Sequence, residues 1–141
     1  MLAFPCATGL IAEHELSIGT FKCYPNLVIG CVNQGVKINL DNALPVMAIG
    51  VHYYNESNPV VYLSDRQNSY SIDPTLHLDA HKLFPFVLGY GVVAYNELNY
   101  RVAQLETRFL PCPGGVFRSM EAGLKWAQEL IEEFLSGSDQ R

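Results

Sequence analysis

Between residues 64 and 74 the chain reads SDRQNSYSIDP, a dense run of hydroxyl, aromatic and charged side chains set just ahead of a proline. Arg66 offers a planar fork that can clamp an anion, and Asn68 both donates and accepts. Tyr70 presents a stacking face with a polar tip, and Ser64, Ser69, Ser71 and Asp73 complete a set suited to binding or switching. A plainer arrangement uses the same residues. Asp73 before Pro74 is an ordinary helix cap followed by proline at the first helical position. Asn68 and Ser69 then make local turn hydrogen bonds, and Arg66 pairs with Asp65 or Asp73. A recognition loop and a well-capped turn both remain open.

Other chemistry finds less support. Asp73, His77 and His81 fall at i, i+4 and i+8, a spacing from which two histidines can hold a metal, yet the HEXXH context is missing and no metal or other cofactor is expected. Cys6, Cys23, Cys31 and Cys112 form no C-x-x-C pair and read as buried free thiols. A hairpin centred on Pro25 and Asn26 sets Cys23 opposite Val28 and Cys31 opposite Thr20, so a disulfide between them is not suggested. No G-x-S-x-G elbow, phosphate loop or dinucleotide fingerprint is present. No catalytic residue is assigned.

The elements that must position these residues follow from hydrophobic period. Gly19 to Val32 alternates and then runs apolar, the mark of a hairpin. Leu44, Met47, Ala48 and Val51 predict a helix over residues 41–54, capped by Asp41 or Asn42. PVVYL (59–63) and FVLGYGVVAY (86–95) predict buried strands, with a helix over 74–82 between them. The glycines at 89 and 91 are ascribed to close packing. Leu98, Val102, Leu105 and Phe109 mark one face of the next helix. A short strand at 115–118 and a helix from Ser119 to about Gly137 close the order ββαβαβαβα. Alternating strands and helices imply an α/β fold with a mixed, mostly parallel sheet packed with helices. One domain over residues 1–141, with its core at about 15–135 and frayed tails including SGSDQR, is expected.

Of the 141 residues 49% are hydrophobic and 16% charged, and the net charge is -5. That composition suits a globular chain and argues against a nucleic-acid partner. MLAFPCATGLIAEHE lacks the positive region of a signal peptide, and no apolar run spans a membrane, so a cytoplasmic location is expected. The outer edge of the hairpin needs a cover, and a second copy of the chain, making a homodimer, is one way to supply it. The many aromatics, Tyr53, Tyr54, Tyr90, Tyr95, Tyr100 and Trp126 among them, suit core, a small apolar pocket or an oligomer interface.

The element order, with YLSDRQNSYSIDP after the third strand, VVAYNELNYRVAQLE and the closing SMEAGLKWA, resembles STAS domains of the SpoIIAA-like fold. The resemblance implies a non-enzymatic regulatory or binding module. In anti-sigma-factor antagonists of that fold a serine after the third strand is phosphorylated and switches partner binding. The corresponding positions here are Ser69 and Ser71, with Ser64 earlier, and a phosphate at either of the first two would meet a helix dipole and Arg66. The chain departs from the usual Asp-Ser-Ser-Gly motif. The expected function is binding of a protein partner or small ligand through this loop. An enzyme using the same loop with His77 or His81 as acid/base, and a structural homodimer subunit, are the alternatives.

Overall fold

The computed structural model describes residues 4–139. Eight strands and four α-helices follow in chain order: β1 (Ala12–Leu16), β2 (Gly19–Tyr24), β3 (Leu27–Val32), β4 (Lys37–Ile38), α1 (Leu40–Tyr53), β5 (Val60–Arg66), β6 (Ser71–Ile72), α2 (Leu76–Leu83), β7 (Val87–Ala94), α3 (Glu97–Glu106), β8 (Gly114–Phe117) and α4 (Met120–Asp139). Six strands form one sheet in the order β1-β2-β3-β5-β7-β8. β1, β2 and β3 are antiparallel, and β3, β5, β7 and β8 are parallel. β4 and β6 make a separate parallel pair.

The hairpin has the register expected of a turn at Pro25 and Asn26, with Cys23 opposite Val28 and Cys31 opposite Thr20. All four cysteines are free. Val92 and Val93, adjacent in β7, are both fully buried, as the apolar run of a strand covered on two faces requires. Along β5 the side chains alternate. Val61 and Leu63 pack on Ala127 and Ile131 of α4, while Val60 packs on the opposite face with Ile49 of α1 and Phe84 beyond α2. A Cβ added at Gly91 would lie 2.7 Å from Trp126, so close packing of α4 does explain that glycine.

Several expectations are corrected. The alternating AEHEL segment forms β1 and pairs with β2, so the outer edge of the sheet is β1 and not the hairpin. Its Glu13 and Glu15 are exposed, as suits an outer strand. Residues 5–7 form a short helix whose Cys6 is buried, its N–H donating to Gln128 of α4 at 2.8 Å. Structured chain therefore begins well before residue 15. At the other end α4 continues to Asp139, through most of SGSDQR; residues 1–3, 140 and 141 of the expected tails lie outside the described residues. The cap of α1 is Asn39, in a reciprocal capping box with Asn42, rather than Asp41 or Asn42. No helix among the described residues is long and apolar enough to cross a membrane.

α3 departs from the usual setting of an amphipathic helix, whose apolar stripe faces the core. Its apolar stripe, Leu98, Val102 and Leu105, faces outward together with Phe109 of the 3-10 turn that follows, and Ala103 and Glu106 are the buried pair. Ala103 is small enough to let the helix approach β7, and Glu106 has a partner beneath it. Leu105→Glu should therefore change stability by no more than about 0.5 kcal/mol in urea titration. Ala103→Leu should cost about 1–3 kcal/mol by overpacking. The opposite ranking would mean that the stripe faces the core.

Candidate functional site

β5 continues through Ser64, Asp65 and Arg66, so the first three residues of the polar run belong to a buried strand and not to a loop. Helices α2 and α3 overhang this end of the sheet. Arg66 lies beneath them with 5% of its side chain exposed, and Glu106 with 2%. Arg66 Nη2 donates to both carboxylate oxygens of Glu106 at 2.7 Å. The same nitrogen reaches the Tyr90 hydroxyl at 3.4 Å, and Nε donates to Ser64 Oγ at 3.3 Å. Ser64 Oγ shares a 2.7 Å hydrogen bond with the Tyr70 hydroxyl, and the guanidinium carbon stands 5.0 Å from the Tyr70 ring centre. His77 of α2 completes the cluster, with Nε2 3.1 Å from Glu106 Oε2 and its ring edge on Tyr90.

The electrostatics follow from this closure. Burial pushes the Glu106 carboxyl up, but the hydrogen bond from His77 and the charge of Arg66 outweigh it and hold the carboxyl below its ordinary value. Burial raises the phenols of Tyr62, Tyr70 and Tyr90, so these remain neutral. Nε and Nη2 of Arg66 are thus engaged by groups of its own chain. Arg66 is a structural cation and not the anion contact expected of a loop arginine. Ser64 is 1% exposed, which removes it as a site for a kinase.

The rest of the run divides between turn chemistry and surface. Asn68 Nδ2 donates to the Val32 carbonyl at 3.0 Å, tying the segment to β3. Ser69 is exposed, and its N–H donates to Gln34 Oε1. Ser71 is exposed in β6 opposite Lys37. A phosphate on Ser69 or Ser71 would not find Arg66, which is committed to Glu106. Asp73 Oδ1 accepts from the N–H and hydroxyl of Thr75, and these bonds hold its carboxyl below the usual range. The helix starts only at Leu76, so Asp73 caps the preceding turn and not α2 itself. Asp73, His77 and His81 are consequently not brought together as ligands. Sequence reasoning missed Glu106, because the stronger apolar stripe on the other side of α3 assigns it to the solvent face.

Beside the cluster lies a cavity of about 180 Å³ between the sheet and the α1–α2 pair. Phe21, Val28, Val32 and Val60 form its floor, and Val46, Ile49 and Phe84 are among the residues of its roof. Tyr62, Tyr70, His77 and Tyr90 close the end nearest Arg66. Tyr62 and Tyr90 stack with centroids 5.3 Å apart and planes 8° apart. Both rings are half-buried, and both line the cavity. The wall is almost wholly apolar.

Removing one member of the buried pair should be severe. Arg66→Ala or Glu106→Gln should each cost about 3–5 kcal/mol of unfolding free energy, and Arg66→Met combined with Glu106→Leu should recover much of the loss. Near-wild-type stability in Arg66→Ala would remove the structural role. The linkage has a definite sign. Because the folded carboxyl of Glu106 titrates below the unfolded value of about 4.5, its contribution is complete above that pH and is lost as pH falls towards the folded value. Stability should thus decline on acidification below about pH 4.5, and Glu106→Gln should flatten that limb of the curve.

No family model matches the chain, and no curated protein matches it. Among solved structures it is similar to an uncharacterized protein of the DUF3478 family with a SpoIIAA-like fold, from Shewanella loihica PV-4. The two share 13% identity with a TM-score of 0.47, over 82% of this chain and 90% of that one. The α/β fold, a mixed six-stranded sheet with four helices, rests on this chain's own strands and helices.

Proposed function

We propose that this chain is a binding module that encloses a small, largely apolar molecule between its sheet and the α1–α2 pair. The observation that carries the reading is the cavity of about 180 Å³ with an almost wholly apolar wall. An engineered apolar cavity of roughly 150 Å³ stays dry and takes up benzene. The site is thus displaced inward from the segment 64–74, which contributes Tyr70 and Ile72 to the wall. Binding without turnover is favoured because the charged groups at the cavity's end are bonded to one another.

A second reading has one specific observation behind it. His77 carries a carboxylate partner at 3.1 Å and also lines the cavity, as an acid/base histidine would. Glu106 is shared with Arg66, however, and orients His77 within a closed network. Loss of turnover in His77→Gln, with uptake of an apolar probe retained, would be the signature of that reading.

The test of the binding proposal is a thermal-shift series with benzene and toluene. A probe at a hundred times its Kd should add about 2.7 kcal/mol of stability. Ala80→Leu, which places a larger side chain at the cavity wall, should raise the melting temperature of the free protein and abolish the shift. A shift as large in that variant, or no shift in the wild type, would sink the proposal.

A further inference from the structure

The ligand class can be narrowed from the polar atoms at the cavity's end. Ser64, Arg66, Tyr70, Tyr90 and Glu106 bond one another, and His77 gives Nε2 to Glu106. Tyr62 differs. Among the described residues its hydroxyl has no hydrogen-bond partner, although the half-buried ring lines the cavity. No buried side-chain oxygen is sealed off without a partner, so this hydroxyl keeps contact with open space. Gly30 makes its position available, since a side chain there would collide with the Tyr62 hydroxyl and the Phe21 ring. Stacking on Tyr90 holds the ring in place.

An open hydroxyl with no partner in the chain is a hydrogen-bonding group left free for a ligand, whereas the hydroxyls of Tyr70 and Tyr90 are already bonded within the cluster. From this geometry we infer that the cavity takes a small uncharged aromatic molecule, of phenol to indole size, whose single hydroxyl or ring N–H bonds the Tyr62 hydroxyl. The inference rests on the binding reading above. Neutrality follows from the pairing of Arg66 with Glu106. That pair is closed on itself and offers neither charge to a ligand; of the two histidines in the wall, His77 is bonded to Glu106 and His81 stands one helical turn further along α2. Aromatic character follows from the flat surfaces of Phe21, Phe84 and Tyr90 in the wall.

Phenol and toluene separate the two claims, because they match in shape and differ in one hydrogen-bonding group. By calorimetry the wild-type protein should bind phenol about threefold to tenfold more tightly than toluene. Tyr62→Phe removes only the oxygen and should fold with at least wild-type stability. It should bring the phenol-to-toluene ratio to about one while leaving toluene affinity intact. Tyr90→Phe, whose hydroxyl is already held by Arg66, should keep the preference. A preference that survives Tyr62→Phe overturns the inference, as does toluene binding as well as phenol in the wild type; in both cases the cavity still binds. Failure of both probes to bind the wild type overturns this inference and the binding reading together. Equal or tighter binding of phenolate at high pH would overturn the requirement for neutrality.

Discussion

The arrangement of this chain turns on one buried ion pair. Arg66 ends β5 beneath two helices, where an unpaired guanidinium costs several kcal/mol, so some acid must be brought to it. The acid comes from α3, forty residues along the chain, and the histidine that shares it comes from α2. β7 adds a tyrosine. A single charge therefore ties together two strands and two helices, and substitutions among Ser64, Arg66, Tyr70, His77, Tyr90 and Glu106 will not be additive.

The same pair accounts for the unusual setting of α3. Burying Leu98, Val102, Leu105 and Phe109 would stabilise by about 1.5–3 kcal/mol each, but only against an apolar surface shaped to receive them. Beneath α3 lie instead Arg66 and Tyr90, with the short Ala94 beside Arg66 in the sheet register. That surface accepts one small residue and one carboxylate, which are Ala103 and Glu106. Turning the helix over would strand Arg66 without offering the stripe a groove. Local helix amphipathicity gives way to the needs of one charge.

Much of the fold is legible from local pattern, and the failures share a cause. Period-2 alternation and the Pro25-Asn26 turn predict the hairpin together with its cysteine register, and the glycine at 91 reads correctly as a close approach of another element. Caps and apolar period place all four helices within a few residues. What cannot be read locally is which face of an element another element covers. The Leu-Val-Leu-Phe stripe of α3 has the right period and the wrong side. Likewise SDR after an apolar strand reads as the start of a loop, because polar side chains at a strand end are normally solvated. Here α2 and α3 project past the sheet and bury them, and no feature of residues 64–66 alone announces the roof. β1 is missed for a related reason, since its charged, exposed alternation is that of an edge strand and reads like a tail.

The polar run and the apolar cavity are then one construction. A partly open apolar space of about 180 Å³ leaves its lining without the contacts that a filled core would supply, a cost set against the roughly 5–15 kcal/mol by which a domain is stable. A space that served nothing could be filled by one larger side chain at Ala43 or Ala80, both of which stand in its wall. The polar cluster explains how the void keeps its shape. It locks Tyr70, Tyr90 and His77 by hydrogen bonds, fixing one wall that apolar contacts alone would leave free to collapse inward. Because those bonds close on themselves, the wall turns mainly ring faces to the interior, with the Tyr62 hydroxyl, His81 and Cys112 also in the lining, and keeps the Arg66–Glu106 pair behind them.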